Sequence, residues 1–223
     1  MAITAVVEDV SVTVTPSRPS WADMVANYPD ESVDTPTLYD TKISGLFKGL
    51  YKAPGYQNTC AVRMSYALNR SGIKLSKTKS SVASVLGGDG FWYWLRVGDL
   101  KAELSNRFKG FDEELVLDVI PDSLVADKAL FDKAFLERVK KAKEFIDDKI
   151  LDRNGIIVFE VVGWEDASGH FTLWDGASEK LLYAAPHNNP SDYLYYFWFT
   201  KIITKDKKQI VQQVVKIKFW ELI

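Results

Sequence analysis

Apolar residues along this chain change their period near residue 155, from three- and four-residue steps to alternation and short continuous runs. In the first part, Ser20-Trp21-Ala22-Asp23 reads as an N-cap with an acid three residues on, opening a short helix that Pro29 stops. An irregular acidic stretch follows to about Thr37. Val62 and Tyr66, with Ala61, Ser65 and Leu68, fall at helical spacing and predict a helix from about Thr59 to Arg70, closed by Gly72. Two further helices are predicted. One runs over about 97–108, and a long one carries Leu130, Phe131, Phe135, Val139, Ala142, Phe145, Ile146 and Ile150, with its Lys, Asp and Glu residues as the solvated face.

The strand signals differ in kind. Val10 to Thr15 alternates apolar and hydroxyl side chains and is closed by Pro16 and Pro19, so residues 1–17 read as an arm, either an edge strand or an appendage. Phe91-Trp92-Tyr93-Trp94-Leu95 reads as a core strand, with a ligand platform as the alternative. Gly155 to Val162 is a continuous apolar run suited to a sheet centre, and His170–Trp174, Lys180–Ala185, Tyr193–Ile203 and Ile210–Leu222 follow it. Helices first and strands later predict an α+β fold, with N-terminal helices packed on a central antiparallel sheet and residues 18–223 forming one domain.

Composition narrows the function classes. With 28 Lys and Arg against 30 Asp and Glu in 223 residues, the net charge of −2 offers no footprint for nucleic acid or an anionic membrane. No run of about 18 apolar residues predicts a membrane span. The start, Met1 to Asp9, lacks a basic lead and is interrupted by acids, so no secretory signal is expected. One cysteine excludes an intrachain disulfide, and one Cys with two distant His residues gives none of the usual metal-ligand spacings, so neither metal nor cofactor is expected.

That cysteine is the most informative residue. Cys60 sits in Asn58-Thr59-Cys60-Ala61-Val62-Arg63-Met64-Ser65, where a polar run opens the predicted helix. Amides and dipole at a helix N-terminus favour a thiolate, which predicts a depressed thiol pKa and a nucleophile. The alternative is a small buried hydrophobe. A cysteine nucleophile needs a base, and one of only two histidines, His170, stands in Gly169-His170-Phe171-Thr172-Leu173-Trp174-Asp175-Gly176. The other, His187 in Pro186-His187-Asn188-Asn189-Pro190, reads as an exposed loop residue, with lining the cleft as the alternative.

These two segments, in this order and separation, resemble the paired signatures of the fourth family of type VI secretion amidase effectors, and Arg18-Pro19-Ser20-Trp21 and Gly155 to Val161 also fit. The resemblance runs from about Arg18 to Trp220. It implies a papain-like NlpC-type fold and a bacterial toxin that cleaves peptidoglycan stem peptides between D-glutamate and meso-diaminopimelate. It further implies cytoplasmic synthesis, delivery by the type VI apparatus to a target periplasm, and a periplasmic immunity protein in the producing cell. Cys60 would then be the nucleophile and His170 the general base and acid, with the Cys60 amide as oxyanion donor. Asn58 is a second oxyanion candidate or an N-cap. Arg63 and Ser65 match the motif and either brace the fold or touch substrate. A non-catalytic cell-wall-binding or structural module with a buried Cys60 is the competing function, and a papain-like protease of ordinary proteins uses the same pair.

The chain departs from the family at the third catalytic position. Members usually carry an acid about eleven residues past the histidine, and here that count lands on Leu181, which has no polar group to orient an imidazole. If Asp175-Gly176 forms a tight hairpin, Leu181 lies opposite His170 and Glu179 shares its sheet face one pair further along. Asp175 is an odd number of residues from His170 and reaches it only through the turn. Asp175, Glu179, a backbone carbonyl or a polar group from elsewhere remain as orienters.

Overall fold

The structure, a computed structural model, describes residues 3–7, 10–14, 18–80, 83–165 and 167–223. Strands β1 (Ile3–Val7) and β2 (Val10–Val14) pair antiparallel, so the predicted N-terminal strand has a partner from its own arm. Its expected end at Thr15 lies outside the described residues. Helix α1 (Trp21–Asn27) starts as its sequence requires, with Ser20 Oγ accepting from the Asp23 amide at 3.1 Å. Thr37–Ile43 then winds as a π-helical turn before helix α2 (Cys60–Arg70). The end of α2 closes on Gly72, whose left-handed backbone (φ 91°) lets the Ile73 amide return to the Leu68 carbonyl at 2.9 Å.

A small hairpin of β3 (Ser84–Leu86) and β4 (Trp92–Trp94) follows, then helix α3 (Val97–Arg107), strand β5 (Glu113–Val116) and helix α4 (Lys128–Phe145), which runs on as a π-helical turn over Ile146–Ile150. The remaining strands are β6 (Gly155–Val162), β7 (Gly169–Asp175), β8 (Lys180–Leu181), β9 (Thr200–Lys205) and β10 (Lys208–Glu221). They form one antiparallel sheet in the order β5-β10-β6-β7-β8, with β9 also paired to the long β10.

Both faces of this sheet are covered, which is why β6 reads as an unbroken apolar run. Ile156, Val158, Phe171 and Leu173 pack with α1, α2 and α3, around Met24, Met64, Leu68 and Leu100. Ile157, Phe159, Trp174 and Phe219 pack on the opposite side with Ala142, Phe145 and Ile150 from α4 and its extension. The α+β class and antiparallel sheet are as expected, with α4, the last helix before strands β6–β10, covering the second face. A third cluster, built from Leu38, Tyr39, Phe47, Val62 and Tyr93, seats the π-helical turn and the β3–β4 hairpin on α2. Ser65 ties that hairpin down: its Oγ donates to the Ala61 carbonyl at 2.8 Å and accepts from the Trp94 amide at 3.1 Å. The Phe91–Leu95 run is thus a short strand with Tyr93 and Trp94 buried.

Two predicted strands are shorter than their patterns. Lys180–Ala185 is strand only through Leu181, because the Ala184 and Ala185 amides donate to the Glu31 carboxylate and not to a ladder. In Tyr193–Ile203 the aromatic stretch turns as a 3-10 helix at Tyr196–Trp198, filling the core on the α4 side, and only Thr200 onward pairs. The turn after β7 is also longer than a tight hairpin. Asp175 pairs with Lys180 and Trp174 with Leu181, so Leu181 is not opposite His170.

β7 is held in register by close backbone approach. A Cβ on Gly169 would stand 2.0 Å from the Phe159 carbonyl oxygen on β6, in the segment where Phe159 pairs with His170. Gly169→Ala is therefore expected to destabilise the fold by about 2–4 kcal/mol through overpacking against an atom that cannot yield, read as a lower urea midpoint with an unchanged slope.

Candidate active site

The first turn of α2 presents its free amides toward β7. Thr59 occupies the N-cap position, but its hydroxyl does not cap the helix. It accepts from Arg63 Nε at 2.9 Å and hydrogen-bonds the Tyr183 hydroxyl at 3.1 Å. Arg63 is buried, at 2% exposure, and its Nη1 donates to the Pro29 and Asp30 carbonyls at 2.9 Å each, while the guanidinium lies 4.1 Å from the centre of the Tyr183 ring. Of its two expected roles Arg63 takes the bracing one, as does Ser65. Its charge nevertheless acts on the site, because all of these partners are neutral.

Cys60, at 1% exposure, is more deeply buried than a helix-terminal position alone implies. The backbone amides of Phe171, Ala61 and Cys60 and the Arg63 charge favour the thiolate. Removal from water outweighs them and pushes the thiol up to about 11. The depressed pKa expected from the helix N-terminus is therefore corrected: the dipole and amides are present, but desolvation wins.

His170 begins β7 at 7% exposure. Its Nε2 lies 2.6 Å from the Tyr183 carbonyl oxygen, which can only accept, so Nε2 carries the proton and Nδ1 is left to exchange one. The ring is stacked on Tyr196, centres 4.5 Å apart and planes 8° off parallel, with Tyr183 on another side at 5.7 Å. Burial draws its pKa down to about 4; the nearby His187 and Arg63 act in the same direction, and the Tyr183 carbonyl opposes them. Near neutral pH both the thiol and the imidazole rest uncharged.

The proposed acids are not brought to this imidazole. Asp175 accepts from the Ala177 and Ser178 amides at 3.2 and 3.3 Å and from Ser178 Oγ at 2.7 Å, which commits its carboxylate to its own turn. Glu179 is exposed, in the left-handed region of that turn (φ 52°). Leu181 is buried among the residues on the α4 side. His187 is neither an exposed loop residue nor part of the cleft wall; it is half-buried, with its ring edge-on to Tyr196 at 5.1 Å and Phe199 at 5.2 Å. The group that orients His170 is a backbone carbonyl, and backbone atoms leave no residue-type signal in a sequence. The sequence does not mark Tyr183 and Tyr196 for that reason and because aromatics in a C-terminal run read first as core.

Two clefts open here. The larger, about 620 Å³, is lined by Asn58, Cys60, Arg96, Asp99 and Trp164 among others. The smaller, about 160 Å³, is lined by Asn58, Thr59, Trp164, His170, Tyr183 and Tyr196. Asn58 and Trp164 are common to both, and since Thr59 holds the cap position, Asn58 faces the clefts and is not the N-cap. Among the described residues no group of three or more His, Cys, Asp or Glu side chains is placed to hold a metal ion.

The family model for the type VI secretion system (T6SS) amidase effector protein 4, Tae4, matches residues 56–220. Among solved structures, the chain is similar to the effector–immunity complex Tae4–Tai4 from Enterobacter cloacae, with 23% identity and a TM-score of 0.60 over 92% of this chain and 99% of that one. It is similar to the Tae4/Tai4 effector–immunity system from Salmonella typhimurium, with 22% identity and a TM-score of 0.58 over 92% and 99%. For the effector Tae4 from Enterobacter cloacae alone, identity is 23% and the TM-score 0.59, over 92% and 98%. No curated protein matches the chain.

The buried neutral imidazole makes stability depend on pH. An unfolded histidine titrates near 6.5 and the native His170 near 4, so between these values the unfolded chain binds a proton that the native state does not. The stabilisation is complete above about pH 6.5 and is lost as pH falls toward 4, amounting to about 3 kcal/mol. Urea melts across this range should show that decline, shallower in His170→Gln. Iodoacetamide should label native Cys60 slowly at pH 7 and faster as pH rises toward 11, whereas rapid labelling at neutral pH contradicts the site's electrostatics.

Proposed function

Because the chain belongs to the T6SS amidase effector protein 4 family, we propose that it is a bacterial antagonism toxin that hydrolyses the D-glutamyl–meso-diaminopimelate bond of peptidoglycan stem peptides by cysteine catalysis. The observation that carries the catalytic part is that Cys60 and His170 line adjoining clefts that share Asn58 and Trp164, with His170 Nε2 already held by the Tyr183 carbonyl. A thiol at a helix start packed on an antiparallel sheet that carries its base is the arrangement of a papain-like NlpC-type enzyme, and residues 18–223 act as its single domain.

The chemistry follows from the two neutral groups. As Cys60 Sγ attacks the γ-glutamyl carbonyl carbon, Nδ1 of His170 takes the thiol proton, so thiolate and imidazolium form only as the new bond forms. The oxyanion is held by the Cys60 amide and the Asn58 side-chain amide. His170 then delivers its proton to the departing diaminopimelate amine, leaving a thioester. It next takes a proton from the water that attacks this thioester, and Cys60 is released as a thiol. Asp175 and Glu179 have no part in these steps.

The larger cleft is open to solvent, and its Arg96 and Asp99 offer opposite charges to a zwitterionic stem peptide. The family's activity implies delivery by the type VI apparatus to a target periplasm. Two of the solved effectors that this chain resembles are bound to Tai4 immunity proteins, which supports a cognate immunity protein as partner. Burial of Cys60 is the one observation favouring a non-catalytic wall-binding module. Against it stands the cleft that Cys60 lines, beside the one that His170 lines.

Digestion of purified diaminopimelate-type peptidoglycan decides between these. The wild type should release fragments ending in D-glutamate, identified by mass, and Cys60→Ala none; no new fragment from the wild type refutes the amidase reading. Asn58→Ala should lower kcat by about 10- to 1,000-fold with little change in KM, as expected for loss of one oxyanion donor.

A further inference from the structure

The peptide that joins Tyr183 to Ala184 is engaged at both ends. Its carbonyl accepts from His170 Nε2 at 2.6 Å, and its N–H donates to Glu31 Oε1 at 2.9 Å. The same carboxylate oxygen accepts from the Ala185 amide at 2.7 Å. Glu31 lies in the loop after α1, 153 positions from Ala184 along the chain. A trans peptide is a conjugated unit whose N–H and C=O point in opposite directions. An anion on the N–H side shifts electron density toward the oxygen, and hydrogen bonds linked in this way strengthen one another.

We propose that Glu31 is a positioning residue for the base: its carboxylate polarises the Tyr183–Ala184 peptide, strengthens the hold of the Tyr183 carbonyl on His170 Nε2, and stabilises the imidazolium formed during each proton transfer. This rests on the amidase reading given above. It supplies by relay what an acid at position 181 does not supply directly, Leu181 being buried and apolar. A carboxylate brought against the imidazole itself would have to be desolvated, whereas Glu31 stays exposed and acts through one amide.

The other charged and titratable groups around His170 do not perform this task. Helix α2 contributes Arg63, which disfavours a second positive charge, and Cys60, the proton's source. The segment after β8 contributes Tyr183, Tyr196 and His187, of which His187 also opposes imidazolium. On β6, Glu160 is paired with Lys101 at 2.8 Å. Among the described residues Glu31 is the carboxylate joined to the imidazole by an unbroken hydrogen-bond path.

Glu31→Gln separates charge from geometry, because the amide oxygen still accepts both backbone N–H groups. The first measurement is the His170 titration by 15N NMR, made in a Cys60→Ala background so that no thiol titrates with it. The Gln substitution should lower the His170 midpoint. The second is peptidoglycan turnover with Cys60 intact, where Glu31→Gln should lower kcat about threefold to tenfold, the difference between a charged and a neutral acceptor, and leave KM within about twofold. Thermal midpoints should match those of the parents.

An unchanged His170 midpoint in Glu31→Gln overturns the proposal whatever kcat does. Should that variant fold poorly, Glu31→Ala read in the same NMR experiment decides, and a midpoint equal to the parent's again overturns it. If wild-type protein shows no turnover, the amidase reading fails, while the NMR measurement still tests the relay.

Discussion

Three segments far apart in the chain converge on the guanidinium of Arg63. It takes the carbonyls of Pro29 and Asp30 at the end of the α1 region, the hydroxyl of Thr59 at the start of α2, and the ring face of Tyr183 beyond β8. These segments carry Glu31, Cys60 and the carbonyl that holds His170. A buried cation is costly unless its donors are satisfied, and here neutral acceptors and an aromatic face satisfy it without a carboxylate. The geometry of the site thus depends on one side chain that does not touch the reacting atoms, and the cost of misplacing that charge keeps the three segments together.

The same burial sets the chemistry. A solvent-exposed thiol at a helix start would carry a thiolate at rest; this one, closed under β7, does not, and its base is driven toward neutrality by the same exclusion of water. In the proposed reaction the charges would therefore appear only as the proton moves, with the fixed carbonyl at Nε2 and the stacked Tyr196 ring already in place. Such preorganisation is the usual source of electrostatic catalysis.

How much of this was legible depends on where each element draws its stability. Helices α2 and α3 and the central strand β6 follow from their periodicity, and Cys60 and His170 are marked by their motifs. The segments whose local pattern misleads are those stabilised from elsewhere. The chain at 184–185 leaves the ladder because a glutamate from the N-terminal region takes its amides. The aromatics at 196–198 curl as a 3-10 turn that buries all three in the core on the α4 side. The turn after β7 is widened by Asp175, whose carboxylate caps two amides within it.

By itself the sequence determined the α+β class, the helix start that presents Cys60, the strand that presents His170, and the absence of an acid at position 181, since each is a property of residue type and local period. Only the tertiary structure decided the protonation of the pair and the identity of what orients the base. Solvent exclusion is a property of the whole packed assembly, and a backbone carbonyl or a carboxylate acting through a peptide has no residue-level signature, so neither is written in the local pattern of side chains.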